Sequence, residues 1–389
     1  MTDRTGTNPT GTSRSDPILP GATLGIFGSG QLGRMFAQAA ARLGYRVHVY
    51  SPAADSPAGQ VADLETIADY DDVAALTEFA QSVAVVTLEF ENVPTIAVET
   101  VGKFVPVRPS AQVLHITQNR LREKRFLVDT EIECSPFAEV NSPEQLHAGM
   151  EKVGLPAVLK TSDSGYDGKG HAMVRSADVA VEAWEGVGGH PAVLEAFVDF
   201  ERELSVIVSR STAGEMAIQG PIANDHANHI LDVSMFPLPE LDPVAAGAQQ
   251  IARQIAAALE LVGVACIEFF LTRTGKLLVN EIAPRPHNSG HLTIEASVTS
   301  QFERQVRAIC GLPLGSTEPV SPAAMVNLLG DLWTDGQPNW QAALADPQVR
   351  LHLYGKSQPR PGRKMGHLTV LASTATEAAQ RAQAARRLL

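Results

Sequence analysis

The run Gly165-Tyr166-Asp167-Gly168-Lys169-Gly170 places three glycines and a lysine behind an apolar segment, Ala157-Val158-Leu159, that ends in Lys160. Glycines let successive backbone N–H groups turn toward one anion without Cβ obstruction, and the two lysines add positive charge. Together they read as a cradle for a nucleotide polyphosphate. The pattern G-x-x-x-x-G-K-[ST] is absent, so the cradle is not a P-loop. The competing reading is a hairpin turn with no ligand, since glycine clusters mark turns as well as sites.

A second group of chemical residues stands a hundred positions on. Residues 265–271 and 276–282 read as two strands joined through Thr272-Arg273-Thr274-Gly275, a hairpin signal with glycine in the turn. A turn centred on Thr274-Gly275 would set Glu268 opposite Glu281, with Cβ atoms about 4.5–5.5 Å apart. Two carboxylates that close in apolar strands repel unless a cation lies between them, and hard oxygen donors suit Mg²⁺ carrying substrate phosphates. A slipped register would leave one Glu in solvent. Asn280 points to the opposite face of a regular strand and joins such a metal only if the strand ends or bulges there.

The elements that must hold these residues follow from periodicity. Residues 1–20, rich in Thr, Ser, Gly, Pro and Asn, are expected to form a disordered tail. Ala22 to Phe27 reads as a buried strand, then Gly28-Ser29-Gly30-Gln31-Leu32-Gly33 opens a helix with Leu32, Met35, Phe36, Ala39, Ala40 and Leu43 on one face. Tyr45 to Tyr50 gives a second strand, so the chain opens as a βαβ unit with a G-x-G-x-x-G turn. Dinucleotide binding calls for an acid at the end of that second strand; Ser51-Pro52 stand there instead. Another strand over residues 83–88 delivers Glu89 and Glu91 to its C-terminal end, where open α/β sheets bind ligands, although either acid also suits a helix cap. A helix starts near residues 117–120, and residues 192–198 lead into a strand over 201–208. Whether Glu203 faces inward with Ser205 is open, and His226 lies in a polar stretch where surface histidines are common. Residues 283–291, Ala-Pro-Arg-Pro-His-Asn-Ser-Gly-His, pack donors behind Glu281 more densely than a turn requires. Residues 351–356 read as a strand and residues 360–367 as a basic loop whose Arg and Lys flank glycine, a pattern that suits a phosphate monoester. An Ala-rich helix closes the chain.

Composition bounds the function class. A chain of 389 residues implies more than one domain. With 31 Lys+Arg against 43 Asp+Glu, its formal charge of -12 argues against nonspecific binding to nucleic acid or anionic membranes. Cys134, Cys266 and Cys310 lack C-x-x-C spacing, so neither a zinc knuckle nor a disulfide framework is expected. Without a long apolar stretch or a signal-peptide core, a cytoplasmic location is the default.

Taken in order, Gly28 to Met35, Gly165 to Gly170, Asn280 to His291 and Arg360 to His367 resemble the 5-(carboxyamino)imidazole ribonucleotide synthases over residues 25–369. The resemblance implies an α/β and α+β fold: a Rossmann-like pre-ATP-grasp domain over 21–115, an ATP-grasp domain pair over 116–315 and a small β-rich C-terminal domain over 316–389. It implies the cofactors ATP and Mg²⁺, the substrates aminoimidazole ribonucleotide and bicarbonate, and a homodimer. By the same resemblance, ATP contacts fall on Arg120, Lys160, Gly165, Tyr166, Asp167, Gly168, Lys169, Gly170, His171, the hinge Glu195-Ala196-Phe197-Val198, Glu203, His226, Asn280 and Glu281. Metal ligands fall on Glu268 and Glu281, with Asn280 beside them. The ribonucleotide would meet Gln31, Leu32 and Glu89; His287, Asn288 and Ser289 would line the reacting end, and Lys356, Arg363 and Lys364 would hold its phosphate. Tyr166, Asp167 and Lys169, on a lid, and Lys364 would serve the chemical step. Two departures stand out: Ser51 replaces an acid, and Ala223 to His226 is one residue short before its histidine, which puts that histidine's role in question. Rival readings are a formate-using or biotin-carboxylating ligase with the same ATP half, an NAD-dependent oxidoreductase, and a noncatalytic binding protein.

Overall fold

A computed structural model describes residues 16–163 and 170–389. The first unit is the expected βαβ start, with parallel strands β1 (Thr23–Phe27), β2 (Arg46–Ser51), β3 (Leu64–Ile67) and β4 (Val85–Leu88) in the order β3-β2-β1-β4. Its central strands are buried on both faces, which explains their unbroken apolar runs. Residues 16–20 are not a loose tail. The Ile18 amide donates to the Cys310 carbonyl at 2.9 Å and its own carbonyl accepts from Tyr45 Oη at 2.6 Å, while its side chain packs against the apolar cluster that includes Leu24, Val47 and Ile309. The polar composition of residues 1–15 hid the two apolar residues, Ile18 and Leu19, that follow it.

Strands β5 (Phe137–Val140), β6 (Ala157–Thr161), β7 (His171–Val174) and β8 (Ala192–Ala196) form an antiparallel sheet, β5-β8-β6-β7, covered by the helices Pro143–Val153 and Ala180–Gly186. The largest sheet takes the rest: β9 (Phe200–Arg210), β10 (Met216–Ala227), β11 (Ile230–Phe236), β12 (Gly263–Thr272), β13 (Leu277–Ala283), β14 (Ala323–Leu329), β15 (Val349–Leu353) and β16 (Lys364–Leu371). Their order is β13-β12-β9-β10-β11-β14-β16-β15, so the C-terminal strands extend the same sheet through the β11–β14 pairing. The helices Asp242–Ala258 and Ala375–Arg386 cover one face with a continuous apolar core. The expected basic loop is shorter than its sequence suggested, because Lys364 to His367 pair with β14 and β15 as part of β16. Among the described residues, no helix is long and apolar enough to cross a membrane.

Candidate active site

The β12–β13 hairpin brings the two acids together by a route that the sequence could not fix. Its turn is centred on Thr274, with Leu271 opposite Leu277 and Phe269 opposite Val279. Continued unbroken, that register would set Glu268 against Asn280 and turn Glu281 to the other face. A β-bulge at Asn280 restores the pair: Glu268 lies opposite Glu281, and Asn280 is the extra residue. Two residues of a bulged strand oppose one on its partner, so Asn280 and Glu281 both face Glu268.

One helix holds this bulge at three points. Arg120–Asp129, capped by the Asn119 side chain on the Arg122 amide, presents Arg120, Glu123 and Lys124 on one face. Arg120 Nη1 lies 3.3 Å from Glu281 Oε2. Glu123 Oε2 accepts from the Ile282 amide at 2.9 Å, and Lys124 Nζ donates to the Asn280 carbonyl at 2.9 Å. Burial, with the Glu281 charge beside it, pushes the Glu123 carboxyl up to about 8, against the pull of Lys124. Nothing in the sequence analysis singled out Glu123 or Lys124. The signal available was a charged pair flanked by Leu121 and Leu127 on the buried side of a helix.

The same helix reaches the small sheet. Lys124 Nζ is 3.4 Å from Glu195 Oε2, and Lys160 Nζ, projecting from β6, is 3.1 Å from Glu195 Oε1. Burial raises the Glu195 pKa, but Lys124 and Lys160 outweigh it and bring the carboxyl down to about 2. Burial lowers the Lys160 pKa against Glu195, and holds His171, on β7 opposite Lys160, neutral with a pKa near 4, helped by Arg120 and Lys160. Of the hinge, the Ala196 and Phe197 amides donate to Pro136 and Pro156, and Phe197 is exposed. Lys124→Met leaves a buried carboxylate short of one partner and is expected to lower unfolding free energy by about 3–5 kcal/mol. Lys160→Met should cost less, because Lys124 is the more deeply buried of the two lysines and also holds the Asn280 carbonyl. Denaturant unfolding checks the order. The Glu195 contribution should be present above pH 4.5, its ordinary value, and fade as pH falls toward 2.

Glu203, on β9, stands with its carboxylate 2.6 Å from His226 Nδ1, and an irregularity in the β10–β11 pairing falls at His226. Ser205, two residues on, is fully buried and bonded to Ser289 and Asn224. Phe270, two residues beyond Glu268 on β12, stacks on Phe200 at 4.9 Å; period-two alternation could have found it.

After β13 the chain turns through Arg285, whose guanidinium pairs with Glu91 across from the first unit. Burial raises the Glu91 pKa, yet Arg285 overrides it and the net shift is downward. His287 Nε2 lies 3.0 Å from Glu268 Oε1. Burial opposes its charge, but Cys266 and Glu268 push the imidazole up to about 10, while burial of Glu268 is outweighed by His287 and that carboxyl falls to about 2. The Asn288 amide exchanges two hydrogen bonds with Asn327, and Ser289 is fully buried against Ser205 and His287, so both side chains are already engaged.

The glycine fingerprint is filled from within. Glu89 accepts from the Gly30 amide and, at 2.9 Å, from the Gly33 amide, so a carboxylate of the chain sits where a dinucleotide pyrophosphate would lie. A Cβ on Gly30 would come within 2.7 Å of Glu89 Oε1, and Gly28, at φ +93°, is crowded by the same side chain. With Ser51 bonded to Ser29 at 2.7 Å in place of an acid, the oxidoreductase reading loses both its phosphate and its ribose contacts. Burial raises the Glu89 pKa; the two amides and Lys356 oppose it. Lys356 Nζ donates to the Lys364 carbonyl at 2.7 Å, and Gln60 ties Gly355 to the first unit at 2.9 Å. Gln31 and Leu32 open the helix beside Glu89, whereas half-buried Arg363 donates to the Gln358 carbonyl at 2.7 Å. Gly165, Tyr166, Asp167, Gly168 and Lys169 lie outside the described residues. Gly170 bonds the Thr161 amide through its carbonyl at 3.0 Å.

A lysine on one sheet and a carboxylate pair on another, joined by a helix that grips both and preceded by a βαβ unit, define an ATP-grasp ligase. Family models agree: the ribonucleotide synthetase preATP-grasp domain matches residues 21–118, the ATP-grasp domain residues 125–302 and the phosphoribosylaminoimidazole carboxylase C-terminal domain residues 323–381. The N5-carboxyaminoimidazole ribonucleotide synthase of Brucella melitensis is 44% identical over 90% of this chain and 97% of its own, and that of Bacillus subtilis 41% identical over 91% and 92%. An ADP complex of an N5-carboxyaminoimidazole ribonucleotide synthetase superposes with TM-score 0.89 at 40% identity, covering 95% of this chain and 98% of that one. The Aspergillus clavatus enzyme with ADP and 5-aminoimidazole ribonucleotide gives 0.87 at 33%, covering 94% and 98%. The chain belongs to the N5-carboxyaminoimidazole ribonucleotide synthases.

Proposed function

We infer that this chain carboxylates 5-aminoimidazole ribonucleotide with bicarbonate at the expense of ATP, giving 5-(carboxyamino)imidazole ribonucleotide, ADP and phosphate in purine biosynthesis. The observation that carries the reading is the Glu268–Glu281 pair, with Arg120 on Glu281 and His287 on Glu268. Family membership supports the choice of substrates.

In this reading ATP lies between the two antiparallel sheets, contacting Arg120, Lys160, Gly170, His171, the Glu195 to Val198 hinge, Glu203 and His226, with residues 165–169 over the phosphates. The donor set fits Mg²⁺: two carboxylates face each other with Asn280 beside them, all hard oxygen ligands. Bound there, Mg²⁺ would offset charge on the phosphates. A bicarbonate oxygen attacks the γ-phosphorus as the bond to ADP breaks, and Lys160 and Arg120 stabilise the charge that gathers. Carboxyphosphate then splits to CO₂ and phosphate, and the exocyclic amine takes the carbon and gives up one proton. Gln31, Leu32 and Glu89 orient the ribonucleotide; Lys356, Arg363 and Lys364 hold its phosphate. His287, kept charged by Glu268, faces the reacting end with Asn288 and Ser289 behind it. Asp167 would position the lid or accept the proton. A homodimer belongs to the same proposal and rests on the family resemblance, and a cytoplasmic location is proposed with it.

ADP release should require both bicarbonate and the ribonucleotide for its full rate. Full-rate release in bicarbonate-depleted buffer, or with the ribonucleotide omitted, would overturn the assignment.

A further inference from the structure

Cys266 lies on the same face of β12 as Glu268, two residues away, and takes no part in the reaction above. Its Sγ, a Glu268 carboxylate oxygen and a His287 ring nitrogen all lie within 4.8 Å of one another. His287 is prepared for more than an ion pair. Its Nδ1 meets Ser289 Oγ at 2.9 Å, Ser289 Oγ meets Ser205 Oγ at 2.7 Å, and Ser205 Oγ accepts from Asn224 Nδ2 at 2.9 Å. Both serines are fully buried. Nδ1 is thereby fixed, and Nε2 is the nitrogen turned toward Glu268, the outer arrangement that orients metal-bound histidines.

Thiolate, imidazole and carboxylate are the donors of three-ligand zinc sites, and first-row affinity order places Zn²⁺ high on such a set; Mg²⁺ prefers oxygen alone. We propose that Cys266, Glu268 and His287 form a Zn²⁺ site, and that its occupation draws Glu268 out of the carboxylate pair and stops turnover. Binding releases the thiol proton and the Nε2 proton, and leaves a fourth position open. The inhibitory half of the proposal rests on the ligase reading; the metal site does not.

The test therefore has a readout apart from activity. Co²⁺ added to the Mg²⁺-free protein should produce a near-ultraviolet thiolate-to-cobalt band that Zn²⁺ abolishes, and Cys266→Ser and Cys266→Ala should both lack it. Zn²⁺ titrated into the Mg²⁺-supported reaction should inhibit the native protein, a zinc-selective chelator should reverse the effect, and both variants should need about tenfold more zinc or beyond. Cys266 also packs among Ile207, Val264 and Ala283, so a thiol that only fills the core predicts equal zinc sensitivity in native and variant proteins. That result, a band that survives in the variants, or no band at all overturns the site. A band without inhibition overturns the link to turnover.

Discussion

Glu268→Gln and Glu281→Gln should each lower Mg²⁺-supported turnover by about 10²-fold or more, since a metal's charge stabilisation is worth several kcal/mol and each 1.36 kcal/mol is tenfold. The fold should persist. Glu281 presses on Glu123, which burial already pushes up to about 8, so removing one negative charge relieves that pair while glutamine keeps the shape. Denaturant unfolding should place Glu281→Gln near the native stability, relief of Glu123 offsetting the charge partner that Arg120 loses. Titration of turnover against Mg²⁺ is the deciding measurement: native rates at saturating Mg²⁺ in both variants would remove the carboxylates from the mechanism. The bulge gives a finer expectation. Because Lys124 grips the Asn280 carbonyl and Glu123 the Ile282 amide, a Lys124→Met protein that still folds should need more Mg²⁺ for half-maximal rate.

The second large effect is expected at the other end of the site. Lys364 starts β16 and is tied through its carbonyl to Lys356, which in turn faces Glu89; Arg363 precedes it at the strand entry. Losing one charge-assisted phosphate contact costs about 1.5–3 kcal/mol, so Arg363→Ala or Lys364→Ala should raise the ribonucleotide KM by roughly tenfold or more. Affinity for ATP should change little, because the proposed phosphate ligands Lys160 and Arg120 are held by Glu195 and Glu281 and not by this loop. Steady-state kinetics against each substrate separates the two. Equal loss of both affinities, or efficient use of the nucleoside without its phosphate, would remove this loop from phosphate binding.

Much of this was legible because apolar periodicity and turn chemistry are local. The βαβ opening and the β12–β13 hairpin each follow from a short window of residues. What was not legible depends on contacts distant in sequence. The hairpin window cannot tell that the turn is centred one half-residue earlier and that a bulge at Asn280 corrects it, because the grip on that bulge comes from Glu123 and Lys124, more than 150 positions away. The G-x-G-x-x-G turn reads as a phosphate site until Glu89, 56 residues from Gly33, is found on its amides. Residues 16–20 read as a tail because the polar composition of the fifteen residues before them masks Ile18 and Leu19, and the partners that fix Ile18, Tyr45 and Cys310, are distant in sequence. Lys364 to His367 look like a basic loop because the strands that pair with them come from elsewhere in the chain.

Bicarbonate activation by ATP is the step on which the whole reading turns, and oxygen tracing reaches it most directly. With ¹⁸O-labelled bicarbonate, native protein and both other substrates, attack of a bicarbonate oxygen on the γ-phosphorus leaves that oxygen on phosphorus when carboxyphosphate splits. The inorganic phosphate released should carry one ¹⁸O for each carboxylated ribonucleotide formed. Phosphate without label, formed in step with product, would mean that bicarbonate is never phosphorylated here, and would contradict the mechanism at its first bond.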